Sequence, residues 1–215
     1  MRLIDNSEIL GMEKFYRINL VNSLGGYKSL HLLGTESENG LSNLCLVSSV
    51  FHLGADPPLI GLVMRPQREH NDTLSNIRAT GQYTLNNVLP SWYMQAHKTS
   101  ASYPSGVSEF DECGFEKIYS PEFKAPFVKQ STVRIGLELR ETINIELNAT
   151  TILIGEVANI MIEEQLISND GTIDHIQAGT MTVAGLDSYF SPELVGRLSY
   201  AKPALQPQVL KSKHG

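Results

Sequence analysis

The sequence predicts a mostly β chain with minor helices, closed as an antiparallel barrel, and three observations carry that expectation. Short runs of β-type residues recur from Tyr27 onward, Gly, Pro, Asn and Asp separate them, and one clear helix interrupts them. Closure is favoured because it removes the unpaired edges that an open sheet would expose. A β-sandwich produces a similar pattern, so periodicity alone leaves both architectures open.

Residues 1–26 read as a lead-in that packs on the barrel. Within it Met12, Phe15, Ile18, Leu20 and Val21 are mixed with charged residues at spacings that fit a helix less well toward the end, and Gly25-Gly26 breaks the segment. Residues 27–203 form the barrel domain and 204–215 a C-terminal tail. Strands are expected over residues 29–34, 44–50, 59–64 and 83–88. Between the last two, Leu74 and Ile77 stand one helical turn apart in residues 73–80, and Gly81 supplies a stop. Asp56-Pro57-Pro58 fixes an extended approach to the third strand, because proline presets φ and restricts the residue before it. That strand delivers Arg65. Residues 90–129 are irregular and rich in Ser, Tyr, Lys and Pro, a length that in a compact domain is functional or interface-forming. Residues 132–146 and 150–163 read as long strands, Asn169-Asp170-Gly171 as a turn, and residues 185–207, punctuated by Pro192, Pro203 and Pro207, as a surface crossing.

The chain of 215 residues is 41% hydrophobic and 19% charged, ordinary values for one folded domain that needs neither metal nor disulfide. Its formal net charge of −6 and the lack of a long basic run argue against nucleic acid and against an anionic membrane as partners. Cys45 and Cys113 have no zinc-site spacing. The N-terminus lacks the basic-then-apolar order of a signal peptide, and no apolar run reaches about 18 residues. The expectation is a cytoplasmic protein with free thiols.

Candidate chemistry clusters between Asn43 and Asn87. One of Asn71, Asp72 or Thr73 caps the helix over residues 73–80, leaving backbone N–H groups free to meet an anion. Thr73 adds a hydroxyl, and Arg65 or Arg68 adds charge-assisted bonds, which together make a phosphate pocket. The alternative is that Asp72 caps its own helix and both arginines are solvated. Asn43, Ser48 and Ser49 sit on an otherwise apolar strand, where small polar residues leave backbone amides within reach of the polar edge of a flat ring. Their other reading is pairing with the adjacent loop. His97 and Ser100 lie in a polar loop close to Trp92, Tyr93 and Tyr103, which could close over a ring or a phosphate. His31, His52, His70 and His175 have no partner pattern and read as structural.

Asp72-Thr73-Leu74-Ser75-Asn76-Ile77, Thr80-Gly81 and Asn86 resemble the flavin reductase-like, FMN-binding split β-barrel family. So do Val107-Ser108-Glu109-Phe110, Cys113-Gly114-Phe115, Ile154-Gly155-Glu156-Val157, Gly185-Leu186-Asp187-Ser188-Tyr189-Phe190 and Tyr200-Ala201-Lys202-Pro203, in that order, across residues 15–203. The resemblance implies a Greek-key type antiparallel barrel and a homodimer that holds FMN near the subunit interface. It also implies hydride transfer from NADH or NADPH to the flavin and on to a small-molecule acceptor or partner. By position it assigns Asn43, Ser48 and Ser49 to the strand lining the flavin and Arg65 and Thr73 to its phosphate side. His97 and Ser100 fall in the following loop, where contacts vary between members. Many relatives carry a His shortly before the Gly-Glu-Val strand to meet the nicotinamide; here the stretch is Asn148-Ala149-Thr150-Thr151. In such chemistry the cofactor does the reaction and the protein positions it, so no catalytic side chain is singled out and no metal is required. A non-catalytic FMN-binding or interaction module on the same barrel is the other reading.

Overall fold

A computed structural model describes residues 1–66, 72–104 and 106–210 of the chain. Two helices, α1 (Asn6–Gly11) and α2 (Lys14–Ser23), precede strands β1 (Lys28–Ser29), β2 (His31–Glu36), β3 (Ser42–Val47), β4 (Val50–Ala55) and β5 (Pro58–Met64). Helix α3 (Asp72–Thr80), strand β6 (Gln82–Asn87), helices α4 (Tyr93–Lys98) and α5 (Glu109–Glu112) and short strands β7 (Lys117–Ile118) and β8 (Phe127–Val128) follow. The long hairpin β9 (Val133–Ile145) and β10 (Thr150–Ile162) comes next, then β11 (Thr182–Ala184), β12 (Ser188–Phe190), β13 (Arg197–Leu198) and β14 (Val209–Leu210). No helix among the described residues is long and apolar enough to cross a membrane, and both cysteines are free.

A seven-stranded antiparallel sheet, in the order β3-β2-β6-β9-β10-β5-β4, is the frame. Its two edges, β3 and β4, are consecutive in the chain and are separated only by Ser48 and Ser49. Three Cα steps from Val47 to Val50 reach at most about 11 Å. A flat sheet would hold those edges about 29 Å apart at the usual strand spacing. The sheet therefore has to roll until its edges meet. At that corner Val63 N donates to Ser49 O at 3.0 Å, extending the β4–β5 pairing, and Ser29 Oγ of β1 donates to Val50 O at 3.0 Å. Among the described residues no ladder joins β3 to β4, so the barrel is split there. Strands β5 and β6 are not neighbours in the sheet, so their connection is of Greek-key type, and its helix α3 packs on β2 and β3.

The two larger apolar clusters make up most of the core. Inside the barrel Leu33, Leu62, Tyr83, Leu85, Leu137 and Leu153 pack with Leu74 and Ile77 of α3. Outside it Leu32, Leu44, Val88, Trp92, Phe110 and Phe115 form a second core under α4 and α5. Leu32 and Leu33 serve opposite cores, so β2 is buried on both faces and reads as a continuous apolar run. At Gly34 a Cβ would come within 2.4 Å of Pro126 O, so the chain before β8 crosses β2 in near-contact with its backbone. The same carbonyl accepts from Thr84 Oγ1 at 2.7 Å.

Most expected elements are present with shifted ends, including the stop at Gly81, whose φ is +72° and whose N–H donates to Ile77 O at 2.9 Å. The first correction is β4. The sequence reading ended the strand near Val50, yet a further strand runs to Ala55, and Asp56-Pro57 is the turn of a β4–β5 hairpin in which Ala55 faces Pro58. The second is the irregular region, which contains α4, α5, β7 and β8. Helices α1 and α2 bury no residue, leaving Phe15, Tyr16, Val21 and Leu24 exposed.

Candidate functional site

A cavity of about 650 Å³ opens at the split. Asn43 and Leu46 of β3, the Ser48-Ser49 link, Val63 to Arg65 at the end of β5, and Asp72 and Thr73 at the start of α3 form one wall. His97 of α4, residues 99–104, Glu109 of α5 and Val183 of β11 form the other. Barrel closure explains the convergence, because rolling the sheet brings the ends of β3 and β5 together beside the helix that leaves β5. The seven site residues expected from the sequence, Asn43, Ser48, Ser49, Arg65, Thr73, His97 and Ser100, line this one cavity. Arg68 and Asn71 lie outside the described residues, as does His70.

Two residues, His97 and Trp92, differ in setting from the sequence reading. His97 stands on helix α4 rather than in a loop, and its Nδ1 lies 2.6 Å from Tyr189 Oη of β12. It also borders a smaller pocket of about 290 Å³ with Tyr93, Met94, Asp187 and Tyr189. Burial, and then the Asp187 charge, raises the Tyr189 phenol, which therefore stays protonated. Trp92 belongs to the outer core, edge-on to Phe115, rather than to the cavity.

The positive charge is concentrated on one side. Arg65 is exposed at the cavity, and Lys28 lies close enough that burial first, and then the Arg65 charge, lowers its pKa. Lys28 Nζ donates to Gly185 O at 2.7 Å. Among the described residues, neither cation has an acidic partner at ion-pair distance, so an anion beside them would relieve their mutual repulsion. Asp72 lines the cavity at the start of α3, so an anion against that helix end would meet a carboxylate.

Beneath this surface is a buried chain of polar groups that sequence reasoning did not assemble. Glu109 Oε2 accepts from Asn43 Nδ2 at 2.6 Å and from Leu44 N at 3.0 Å, and Thr73 Oγ1 donates to Asn43 Oδ1 at 2.6 Å. Glu109 is 66 residues from Asn43, and the motif that contains it carried no hint of this contact. Cys45 Sγ lies 3.5 Å from Thr73 Oγ1, and burial pushes its thiol up to about 11, against the lowering effect of the Thr73 hydroxyl. It stays a thiol at neutral pH and is a poor nucleophile.

The stretch 148–151 does not line the cavity. Asn148 Oδ1 accepts from Thr150 N at 3.1 Å and Thr150 Oγ1 at 2.7 Å, and Thr151 Oγ1 donates to Asn144 Oδ1 at 3.2 Å. These polar groups are spent inside the β9–β10 hairpin.

Residues 28–177 match the family described as flavin reductase like domain. A proposed flavin reductase with a split barrel domain from Shewanella frigidimarina NCIMB 400 is 40% identical with a TM-score of 0.90, over 94% of this chain and 100% of that one. Nitrilotriacetate monooxygenase component B from Bacillus cereus is 22% identical with a TM-score of 0.80, over 92% and 98% of the two chains. The 2-nitrobenzoate 2-nitroreductase of Pseudomonas fluorescens is 20% identical with a TM-score of 0.78, over 96% and 99%. The last two share the fold. The mostly β, antiparallel split barrel expected from the sequence is the fold of this protein.

Proposed function

The chain belongs to the flavin reductase like family, and from that premise we propose that it is an FMN-binding oxidoreductase, carrying reducing equivalents from NADH or NADPH through flavin to a small acceptor or a partner. The observation that carries this reading is convergence: residues from β3, β5, α3 and α4 that are far apart in sequence line one cavity. Its volume of about 650 Å³ suits a cofactor of this size, with Leu46, Val63 and Val183 to flank a ring, Ser48 and Ser49 to bond a polar edge, and Arg65 to meet a phosphate. When bound, FMN supplies hydride-accepting chemistry that side chains lack. The protein's part is placement: the cavity walls position the flavin, and the nearby thiol and carboxylate are held in fixed, partnered states.

Purified protein is expected to be yellow, or to turn yellow with added FMN, and to bleach when NADH or NADPH is supplied without oxygen. A colourless protein that takes up no FMN would end the flavin reading. A yellow protein that does not bleach would leave a flavin-binding module, the reading favoured by a 148–151 stretch that offers the cavity no histidine.

We also infer a homodimer. Strand β4 exposes Phe51 and Leu53, α2 exposes Phe15 and Tyr16, and the C-terminal segment exposes Leu194, Val195 and Leu198. Large apolar side chains exposed on three elements supply surface that a second copy could cover. Light scattering is expected to return twice the 23.8 kDa chain mass; a single-chain mass at micromolar concentration would refute the pairing.

A further inference from the structure

We propose that Thr73 is a hydrogen-bond acceptor in the cavity, recognising an uncharged N–H or O–H donor of the flavin rather than its phosphate, and that Glu109 is the positioning residue that sets this polarity. The inference rests on the flavin reading of the cavity and changes the phosphate-side role that the family resemblance implies for Thr73.

The argument follows the protons. Leu44 N is a backbone donor and can only give its hydrogen, so Glu109 Oε2, at 3.0 Å, is an acceptor. The same carboxylate oxygen accepts from Asn43 Nδ2 at 2.6 Å, so the Asn43 side chain presents its NH2 there. An amide so fixed turns its carbonyl toward Thr73, and Oδ1 takes the Thr73 hydroxyl hydrogen at 2.6 Å. A hydroxyl has one hydrogen; the shorter contact claims it over Cys45 Sγ at 3.5 Å. What Thr73 Oγ1 has left is lone pairs. Phosphate oxygens are acceptors too and gain nothing from them. A ring N–H or a ribityl hydroxyl does.

The arrangement is buried: Thr73 is 4% exposed and Glu109 9% exposed, so water cannot readily substitute for a missing partner. Arg65, exposed and paired with Lys28 in charge, is left as the phosphate-side group. Flavin recognition is thereby divided between a cationic rim that reads the phosphate and a neutral acceptor that reads the rest.

Titrations of FMN, riboflavin and lumiflavin against the full chain separate the possibilities. Thr73→Val is expected to raise the Kd for FMN and for riboflavin by the same factor, about tenfold, and Thr73→Ser to restore it. Arg65→Ala is expected to weaken FMN and leave riboflavin unchanged. An equal loss with lumiflavin would identify the donor as the ring N–H, and no loss would identify a ribityl hydroxyl. Glu109→Gln keeps an acceptor oxygen and should preserve the Thr73→Val factor. Glu109→Met releases the Asn43 amide and should abolish that factor, which a merely structural role for Glu109 would not do. If Glu109→Met fails to fold, the Thr73→Val and Thr73→Ser comparison across the three flavins decides by itself. A Thr73→Val loss confined to FMN would overturn the proposal while leaving the flavin site intact. Wild-type protein that binds none of the three would remove the flavin reading and this proposal with it.

Discussion

Gly155→Ala is expected to lower the melting temperature by about 6–12 °C, the equivalent of about 3 kcal/mol in a domain of this size. A Cβ at this position would stand 2.2 Å from Tyr83 Oη, 2.9 Å from Tyr83 Cζ and 3.2 Å from Leu137 Cβ. The first of these belongs to a rigid ring that is 0% exposed among the inner-core leucines, so the clash cannot be relieved by a swing into solvent. Gly155 lies where the β9–β10 register shifts, between Ile60 of β5 and Leu139 of β9, so the backbone has partners on both sides and cannot retreat either. Among the described residues the Tyr83 hydroxyl has no hydrogen-bond partner, and burial raises its pKa. Tyr83→Phe therefore removes a buried, unpaired polar group and is expected to raise the melting temperature by about 2–4 °C. In the double mutant the closest contact disappears while those to the ring carbon and Leu137 remain, so about a third of the Gly155→Ala loss should return. Thermal denaturation followed by circular dichroism tests all three variants. Additive effects of the two substitutions would show that the hydroxyl is not the obstacle.

The glycine of the Ile-Gly-Glu-Val run is visible in the sequence, but its reason is not, because Tyr83 reaches it only through the rolled sheet. The same distinction runs through the molecule. Strands buried on one or both faces, such as β2, β5 and β10, leave apolar runs or alternations that periodicity detects. Strand β4 leaves neither, since Phe51, His52, Leu53 and Ala55 are all exposed and no face is reserved for a core. Helix α4 is too short to display a helical period. At the cavity, Asn43, Ser48, Ser49, Arg65 and Thr73 were legible because each ends or begins an element near the split. Lys28 and Glu109 were not. Their relevance lies in contacts that span long stretches of chain, Glu109 with Asn43 and Lys28 with Gly185, and the residue types alone read as ordinary surface charges.

Acidification should destabilise the protein through His31. This residue opens β2, its Nδ1 is sealed from solvent with no hydrogen-bond partner among the described residues, and burial, followed by the nearby His175, pushes its pKa down from 6.5 to about 4. A folded-state value below the unfolded one means that, between those limits, the unfolded chain takes up a proton that the native chain refuses. The contribution is thus fully present above about pH 6.5, declines as the pH falls, and is spent near pH 4. Integrated over that window it amounts to at most about 3 kcal/mol, and less to the extent that the half-buried ring can reach water when charged. Urea denaturation of wild type and His31→Gln at several pH values between 7.5 and 4 isolates the effect. Carboxylates titrate alike in both proteins, so only the histidine contributes to the difference between the curves. The two stabilities are expected to converge by up to that amount on acidification, as wild type loses what the variant never had. Parallel curves would mean that the imidazolium is accommodated in the native state, through water or through a rotation that frees Nδ1.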